Sequence, residues 1–131
     1  GDEGTFEVAT TEAYEVSNVK LFEIAENVAT EVPNIGTAQS GKTLTAAVSI
    51  LNRDADNALD AQLIVAVFKG EELETIDIPD GVSITKADGL TTLTGEIVLP
   101  AITADDEYSV KVFVWDSFEN MMPLKKTVAE F

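Results

Sequence analysis

The sequence predicts an all-β protein whose fold class is an antiparallel β-sandwich of about seven strands. Short segments alternate apolar and polar residues, and turn-forming residues separate them at intervals of roughly 8–12 residues. No segment shows the apolar periodicity of an amphipathic helix. With 131 residues, 45% of them hydrophobic, the chain can bury the core of one domain without disulfide bonds.

The segment from Tyr108 to Trp115 predicts a strand in the middle of a sheet. Three valines and Tyr108 lie on one side of the extended backbone, whereas Phe113 and Trp115 lie on the other. A strand that is apolar on both sides is typical of a sheet interior. The polar residues Asp116 and Ser117 follow at once, so the strand is expected to end there.

Two further segments predict the body of the sandwich. Residues 62–69 are apolar on both sides and therefore predict a second interior strand. Residues 43–51 alternate cleanly, which is typical of a half-buried antiparallel strand. The side chains of this strand expected to face inward are Leu44, Ala46, Val48 and Ile50.

Weaker alternation predicts the remaining strands, and turn signals separate them. These segments are residues 19–24, 28–32, 73–78, 82–84, 90–99 and 125–131. Leu21 is expected to face the core, with Phe22 on the opposite side; in residues 90–99 the inward positions are Leu93, Ile97 and Leu99. Residues 1–18 are interpreted as an N-terminal linker or an extra edge strand, and residues 19–131 as the β-sandwich module.

The composition argues against several classes of function. A net charge of −16, from 24 acidic and 8 basic residues, repels phosphate backbones, so nucleic acid and anionic membrane are not expected as partners. No apolar run approaches the ~20 residues of a membrane-spanning helix, so no membrane insertion is expected. The chain contains no cysteine and no histidine, which removes thiolate nucleophiles, imidazole catalysis and the usual zinc ligands. We therefore expect no enzymatic activity.

One motif has the spacing of a phosphate-binding loop. Gly36 is followed, after four residues, by Gly41, Lys42 and Thr43. Such a loop must follow a buried parallel strand and open a helix. Here Pro33 and Asn34 precede the motif and an alternating strand follows it, so the match is interpreted as a coincidence.

Acidic residues concentrate between the strands at 43–51 and 62–69, where Asp54, Asp56 and Asp60 are the candidate metal ligands. An EF-hand loop requires alternating oxygen ligands and a glycine at its sixth position. Counting from Asp54, the sixth residue is Leu59, so the EF-hand motif fails. A solvated connection between two strands is the preferred interpretation, and a surface Ca²⁺ site is the alternative. No other cofactor is expected.

The aromatic residues Phe113, Trp115 and Phe118 are the candidate ligand-binding residues. An exposed aromatic platform would allow stacking on sugar rings. The competing interpretation is structural, because the same side chains would pack at the end of the sandwich or against a neighbouring segment. One tryptophan and two tyrosines are few for a sugar-binding face, which favours the structural interpretation.

Two patterns carry a resemblance to known families. Leu99 and Pro100, followed by Tyr108, Val110 and Val112, resemble the corner of fibronectin type III-like and immunoglobulin-like domains, where a tyrosine bonds back to the preceding loop. The stretches TLTAAVSILNRDADNALDAQLIVAVFKGEELETIDI and YSVKVFVWDSFENMMPL resemble sandwich modules of large exported proteins of Gram-positive anaerobes. This resemblance implies an accessory role and a secreted or cell-surface location.

The predicted function is therefore that of a non-catalytic accessory, spacer or adhesion module of an exported or cell-surface bacterial protein. Its expected partners are neighbouring modules of the same polypeptide. The alternative is a carbohydrate-binding module that binds polysaccharide with an aromatic platform around Trp115. A weaker alternative is a calcium-stabilised adhesin domain.

Overall fold

The computed structural model describes residues 13–117, 119–125 and 128–131. Within these ranges the chain forms ten strands and two short 3₁₀ turns, at Thr37–Gln39 and Lys86–Asp88. The first five strands are β1 (Tyr14–Val16), β2 (Lys20–Ala25), β3 (Val28–Glu31), β4 (Thr43–Asn52) and β5 (Leu59–Lys69). The other five are β6 (Glu72–Asp77), β7 (Val82–Ile84), β8 (Thr91–Val98), β9 (Tyr108–Trp115) and β10 (Ala129–Glu130).

The first sheet is organised around β4, the longest of its strands. Strand β8 pairs with one side of β4, while β1 and β2 pair one after the other with its opposite side, and β3 lies beyond β2. Val16 pairs with Ile50 and Lys20 with Ala47. Between these two pairs, the segment that joins β1 to β2 has one more residue than the facing part of β4. The extra residue is accommodated as in a β-bulge, and β1 and β2 are two parts of one interrupted strand.

The second sheet has the order β10, β9, β5, β6, with β7 also paired to β5. Strands β5 and β9 form its interior and pair over eight residues, from Gln62 opposite Trp115 to Lys69 opposite Tyr108. Strands β6 and β7 share the other side of β5. The connection between them contains Pro79, which has no N–H to donate to a ladder, so the strand is interrupted there.

The core lies between the two sheets and consists of the inward faces of both. The predicted two-sheet antiparallel architecture is confirmed, and so are the inward positions of β4, the core position of Leu21 and the interior character of β5. The largest fully buried side chains are those of Leu21, Leu44, Ile50, Leu63, Ile64, Ile84, Leu99, Val48, Val65, Val67, Val110 and Val112.

The outward face of β5 is also buried. Ile64 and Ala66 point away from the core cluster, yet each is only 1% exposed. Ile64 lies opposite Phe113 and Ala66 opposite Lys111 in the ladder with β9. The second sheet therefore carries an apolar layer on its outer side, as the double-sided pattern of residues 62–69 predicts.

The last strand differs from its predicted extent. A closing strand was expected over residues 125–131, whereas β10 comprises only Ala129 and Glu130, and Phe131 adds two backbone bonds with Val110 of 2.9 and 3.1 Å. Leu124 joins β9 separately, through a bond from its N–H to the Val114 carbonyl. Residues 126 and 127 lie outside the described ranges, and so do residues 1–12 of the predicted N-terminal segment.

The expected tyrosine corner is not observed. The Tyr108 hydroxyl makes no hydrogen bond with any described residue; its ring packs on the core and lies 5.9 Å from the Lys69 ammonium. The loop from Pro100 to Tyr108 is held instead by Asp106, which bonds to Thr103. The hydroxyl of Tyr14 in β1, by contrast, donates to the carbonyl of Leu124, in the segment between β9 and β10, at 3.2 Å.

The apparent phosphate-binding loop is a turn that leads into a strand. Gly41 has a φ of 70° and β4 begins two residues later, so no helix N-terminus is available there to bind an anion. The motif is a coincidence of spacing, as the alternating residues after it indicate. Its lysine forms an exposed ion pair with Glu23 at 3.0 Å.

Gly95 allows the two sheets to approach closely, and its replacement tests this packing. A Cβ at this position would lie 3.0 Å from Val65 Cγ2 and 3.3 Å from Pro79 Cγ. We expect Gly95→Ala to lower the free energy of unfolding by about 1–3 kcal/mol through overpacking. The measurement is the urea midpoint at constant m value. Gly36→Ala is the control, since its Cβ would meet no atom closer than 4.0 Å; equal midpoints for the two variants would contradict the expectation.

Candidate functional site

The predicted ligand-binding aromatic residues lie at the end of β9, on the outer side of the second sheet. Phe113 and Trp115 are both half-buried, and their ring centroids are 5.3 Å apart. Phe113 belongs to the outer apolar layer as the ladder neighbour of Ile64, and Trp115 is the ladder neighbour of Gln62. The third candidate, Phe118, lies outside the residues whose placement is described.

The two rings do not form a flat platform. Their planes are inclined by 54°, an arrangement typical of an aromatic pair that packs against itself. Further along the same face, the Lys111 ammonium lies 4.8 Å from the centre of the Phe68 ring, within the range of a cation–π interaction. Glu130 of β10 is opposite Lys111 in the ladder. This face is therefore an apolar layer that also carries the oppositely charged ladder neighbours Lys111 and Glu130.

The connection after β9 is organised by the Asp116 carboxylate. Its oxygens accept bonds from the N–H groups of Ser117 and Met122 and from the side-chain amide of Asn120. Partial burial of this carboxyl would raise its pKa, but these hydrogen bonds outweigh that effect and lower the pKa below its ordinary value. The loop holds Met121 and Met122 exposed beside the end of β9.

The predicted metal-binding loop follows β4 and is built on Asn52, the buried polar residue of the core. Its side-chain NH₂ donates to the carbonyls of Asn57 and Ile84, at 2.9 and 2.8 Å, and its Oδ1 accepts the Asp54 N–H at 2.8 Å. Through these three bonds the buried amide connects the loop to Ile84 of β7, and its polar atoms are hydrogen-bonded as buried polar groups usually are. Sequence reasoning missed this role, because an asparagine at a strand end gives no sign of whether it is buried.

Asp54 is occupied by its own loop. Its Oδ1 accepts the N–H groups of Asp56 and Asn57, and its Oδ2 accepts the Asn57 side-chain amide at 3.0 Å. The side-chain bond from Asn57 and the backbone bond from Asp56 lower the pKa of this carboxyl below its ordinary value of 3.8, against a smaller effect of desolvation. The carboxylate acts as a turn cap, because it accepts the donors that the turn leaves free.

The carboxylates of the other two metal candidates take no part in this cap, to which Asp56 contributes only its backbone N–H. Asp56 is exposed in the loop, whereas Asp60 is an exposed residue within β5, paired with Ser83 of β7. Across the described ranges, no group of three or more aspartate, glutamate, histidine or cysteine side chains is arranged to hold a metal ion. The structure therefore does not bring Asp54, Asp56 and Asp60 together as one ligand set.

Two other loops use the same carboxylate cap. The N–H of Thr85 donates to Asp88 at 2.8 Å, and this bond is the main cause that lowers the pKa of Asp88. The N–H and hydroxyl of Thr103 donate to Asp106 and lower its pKa in the same way, with a smaller contribution from the Lys69 ammonium 3.7 Å away. Part of the acidic excess thus has a structural use in turns.

The sequence matches no protein-family model and no curated protein at a significant level. Across the residues that the structure describes, no helix is long and apolar enough to span a membrane.

Replacement of Asp54 tests the carboxylate cap through the pH dependence of stability. A carboxyl whose pKa is lower in the folded than in the unfolded chain stabilises the fold above its unfolded value, near 3.8, and loses this contribution as the pH falls through its folded value. We expect Asp54→Asn to lower stability at pH 7 and to make the loss of stability between about pH 5 and pH 2 shallower. Urea unfolding across this pH range measures both effects.

Asp56→Asn is the matched control for this prediction. It removes the same charge from the same loop, but the Asp56 carboxylate makes no hydrogen bond to any described residue. An identical pH profile for the two variants would show that overall charge, rather than the cap, determines the effect.

The occupied state of Asp54 also leads to a prediction about calcium. A cation at this carboxylate would have to displace N–H donors, and the described residues form no group of three carboxylates around it. We expect 5 to 10 mM CaCl₂, roughly the range that fills the weakest extracellular calcium modules, to leave the melting temperature unchanged relative to MgCl₂. A rise with calcium that Asp54→Asn abolishes would restore the metal-site interpretation.

Proposed function

We propose that the protein is a non-catalytic spacer or adhesion module of an exported or cell-surface bacterial protein. The observation that carries this proposal is the contact between the Phe113 and Trp115 rings, whose planes are inclined by 54° to each other, on a sheet face where the ladder neighbour of Phe113 is the buried Ile64. The most conspicuous candidate binding residues then serve as a packing layer. The absence of cysteine and histidine from the sequence supports a non-catalytic role.

The strand order supports an immunoglobulin-like or fibronectin type III-like sandwich. Strands β4 and β5 are consecutive but lie in different sheets, as do β7 and β8, and β8 and β9. One sheet contains β5, β9 and β10, and the facing sheet contains β1/β2, β4 and β8. These two sets correspond to the two sheets of such domains. Beyond these strands, β3 extends the edge of the first sheet, and the interrupted strand β6/β7 pairs with the other side of β5.

The geometry of the outer strands supports a mechanical role. The Arg53 N–H donates to the Ala13 carbonyl at one end of β4, whereas Phe131 pairs with Val110 near the opposite end of the sandwich. Tension between residues 13 and 131 would therefore pull β1/β2 along β4 and β10 along β9. Hydrogen bonds perpendicular to the strands then share the load, so they do not open one at a time. Such loading suits a spacer that holds neighbouring modules apart.

The second candidate function is carbohydrate binding at the same aromatic residues. It is favoured by the half-exposed position of Phe113 and Trp115 on the outside of the molecule. A sugar would have to stack on one ring at a time, because the two planes differ by 54°. The proposal and this alternative predict opposite behaviour for the only tryptophan in the chain.

Tryptophan fluorescence separates the two functions. For a spacer we expect Trp115 emission to be blue-shifted, quenched weakly by acrylamide and unchanged by every member of a soluble polysaccharide panel. Phe113→Ala serves as the control, because removal of the neighbouring ring should shift the emission to the red and increase quenching. This control shows that the indole reports on the packing of the face.

The opposite result would overturn the spacer proposal. A glycan that shifts Trp115 emission in a saturable manner, and fails to do so in Phe113→Ala, would establish the aromatic face as a sugar-binding site.

A further inference from the structure

Strand β8 forms an edge of the first sheet, because β4 is its only strand partner among the described residues. The bond from the Leu99 N–H to the Lys42 carbonyl shows which alternate residues of β8 are hydrogen-bonded to β4. Odd-numbered residues of β8 bond to β4, so Thr92, Thr94 and Glu96 direct their backbone groups away from the sheet. This edge lies on the same side of the sandwich as β6 and β7.

One position on this edge is already occupied by a side chain. The Glu96 N–H donates to Asp77 Oδ2 of β6 at 3.0 Å. The backbone groups of Thr92 and Thr94 bond to no residue within the described ranges. A carboxylate therefore blocks one end of the edge, while a short stretch around Thr92 and Thr94 presents donors and acceptors to solvent.

A small groove of about 160 Å³ lies beside these two threonines. Its base contains Leu63 and Leu93, which are 1% and 7% exposed, and Pro79 and Val82 line it further. The volume is that of a site for a single aliphatic side chain. An extended chain that pairs with β8 would turn every second side chain towards the space between the sheets, where this groove lies.

Charge around the edge indicates the chemistry of the partner. Asp80 lines the groove, Glu96 is exposed on the strand, and the whole chain carries a charge of −16. A second copy of the chain would bring the same negative charges to the same place. A basic partner would be attracted to it.

We propose that the β8 edge at Thr92 and Thr94 binds an extended basic peptide segment of a partner protein by strand addition. The segment bonds to the free backbone groups of β8, places one aliphatic side chain in the groove and presents lysine or arginine next to Asp80. Backbone pairing provides affinity and the groove provides selectivity, as in other cases of β-augmentation. The Asp77 bond to the Glu96 N–H ends the pairing on that side.

The test uses a blocked peptide of alternating lysine and valine residues flanked by glycines, added to the ¹⁵N-labelled chain. We expect saturable chemical-shift changes centred on Thr92 and Thr94, and slower amide hydrogen exchange at both. The same peptide with alternate backbone nitrogens methylated should not bind, because it has lost the strand-forming donors. Absence of binding by the unmethylated peptide would overturn the proposal.

Two charge variants separate specific binding from general attraction. Val82→Glu introduces a carboxylate at the groove, and Val28→Glu introduces one at an exposed position on β3 in the other sheet. We expect Val82→Glu to weaken binding roughly tenfold or more, because a carboxylate in the groove would lose hydration when the aliphatic side chain enters and this cost exceeds the added attraction for a basic peptide. We expect Val28→Glu to leave binding nearly unchanged. Equal effects would show non-specific electrostatic attraction, and sedimentation that reveals a dimer blocked by Val82→Glu would assign the edge to a second copy. Either result would refute the peptide proposal.

Discussion

The pairing of β5 with β9 is the interaction on which the rest of the structure depends. The eight-residue ladder forms the interior of the second sheet, and β6, β7 and β10 each pair with one of its two strands. Its inward side chains are each at most 1% exposed. They are Leu63, Val65, Val67, Val110, Val112 and Val114. Burial at about 25 cal/mol per Å² of apolar surface makes such a face the main source of stability, and the first sheet is held by packing against it.

The polar residues have a different task, which is to shape the ends of the sandwich. Asn52 provides three hydrogen bonds beneath one loop, and the carboxylates of Asp54, Asp88, Asp106 and Asp116 cap backbone N–H groups in four connections. Each of these carboxylates stabilises the connection in which it lies. The remaining negative charge is spread over the surface, where it favours solubility and selects against anionic partners.

The two surfaces of functional interest differ in the kind of group they present. The outer face of the second sheet offers aromatic side chains, of which Phe113 and Trp115 contact each other beside the buried Ile64. The β8 edge offers backbone groups that bond to none of the described residues, beside a small apolar groove. An edge with free donors and acceptors is suited to strand pairing, whereas a packed aromatic layer is suited to contact with a neighbouring module.

The sequence by itself determined the all-β class, the division into alternating segments and the inward positions of the main strands, because side-chain periodicity is a local property of the backbone. It also showed that the glycine and lysine motif near residue 41 leads into a strand. Only the tertiary structure decided which strands share a sheet. It also decided that the hydroxyl of Tyr14, and not that of Tyr108, bonds to a distant segment, and that the Asp54 carboxylate caps its own loop. These features depend on pairing between residues far apart in the chain, and the local pattern of apolar and polar residues does not encode which distant segment becomes the neighbour.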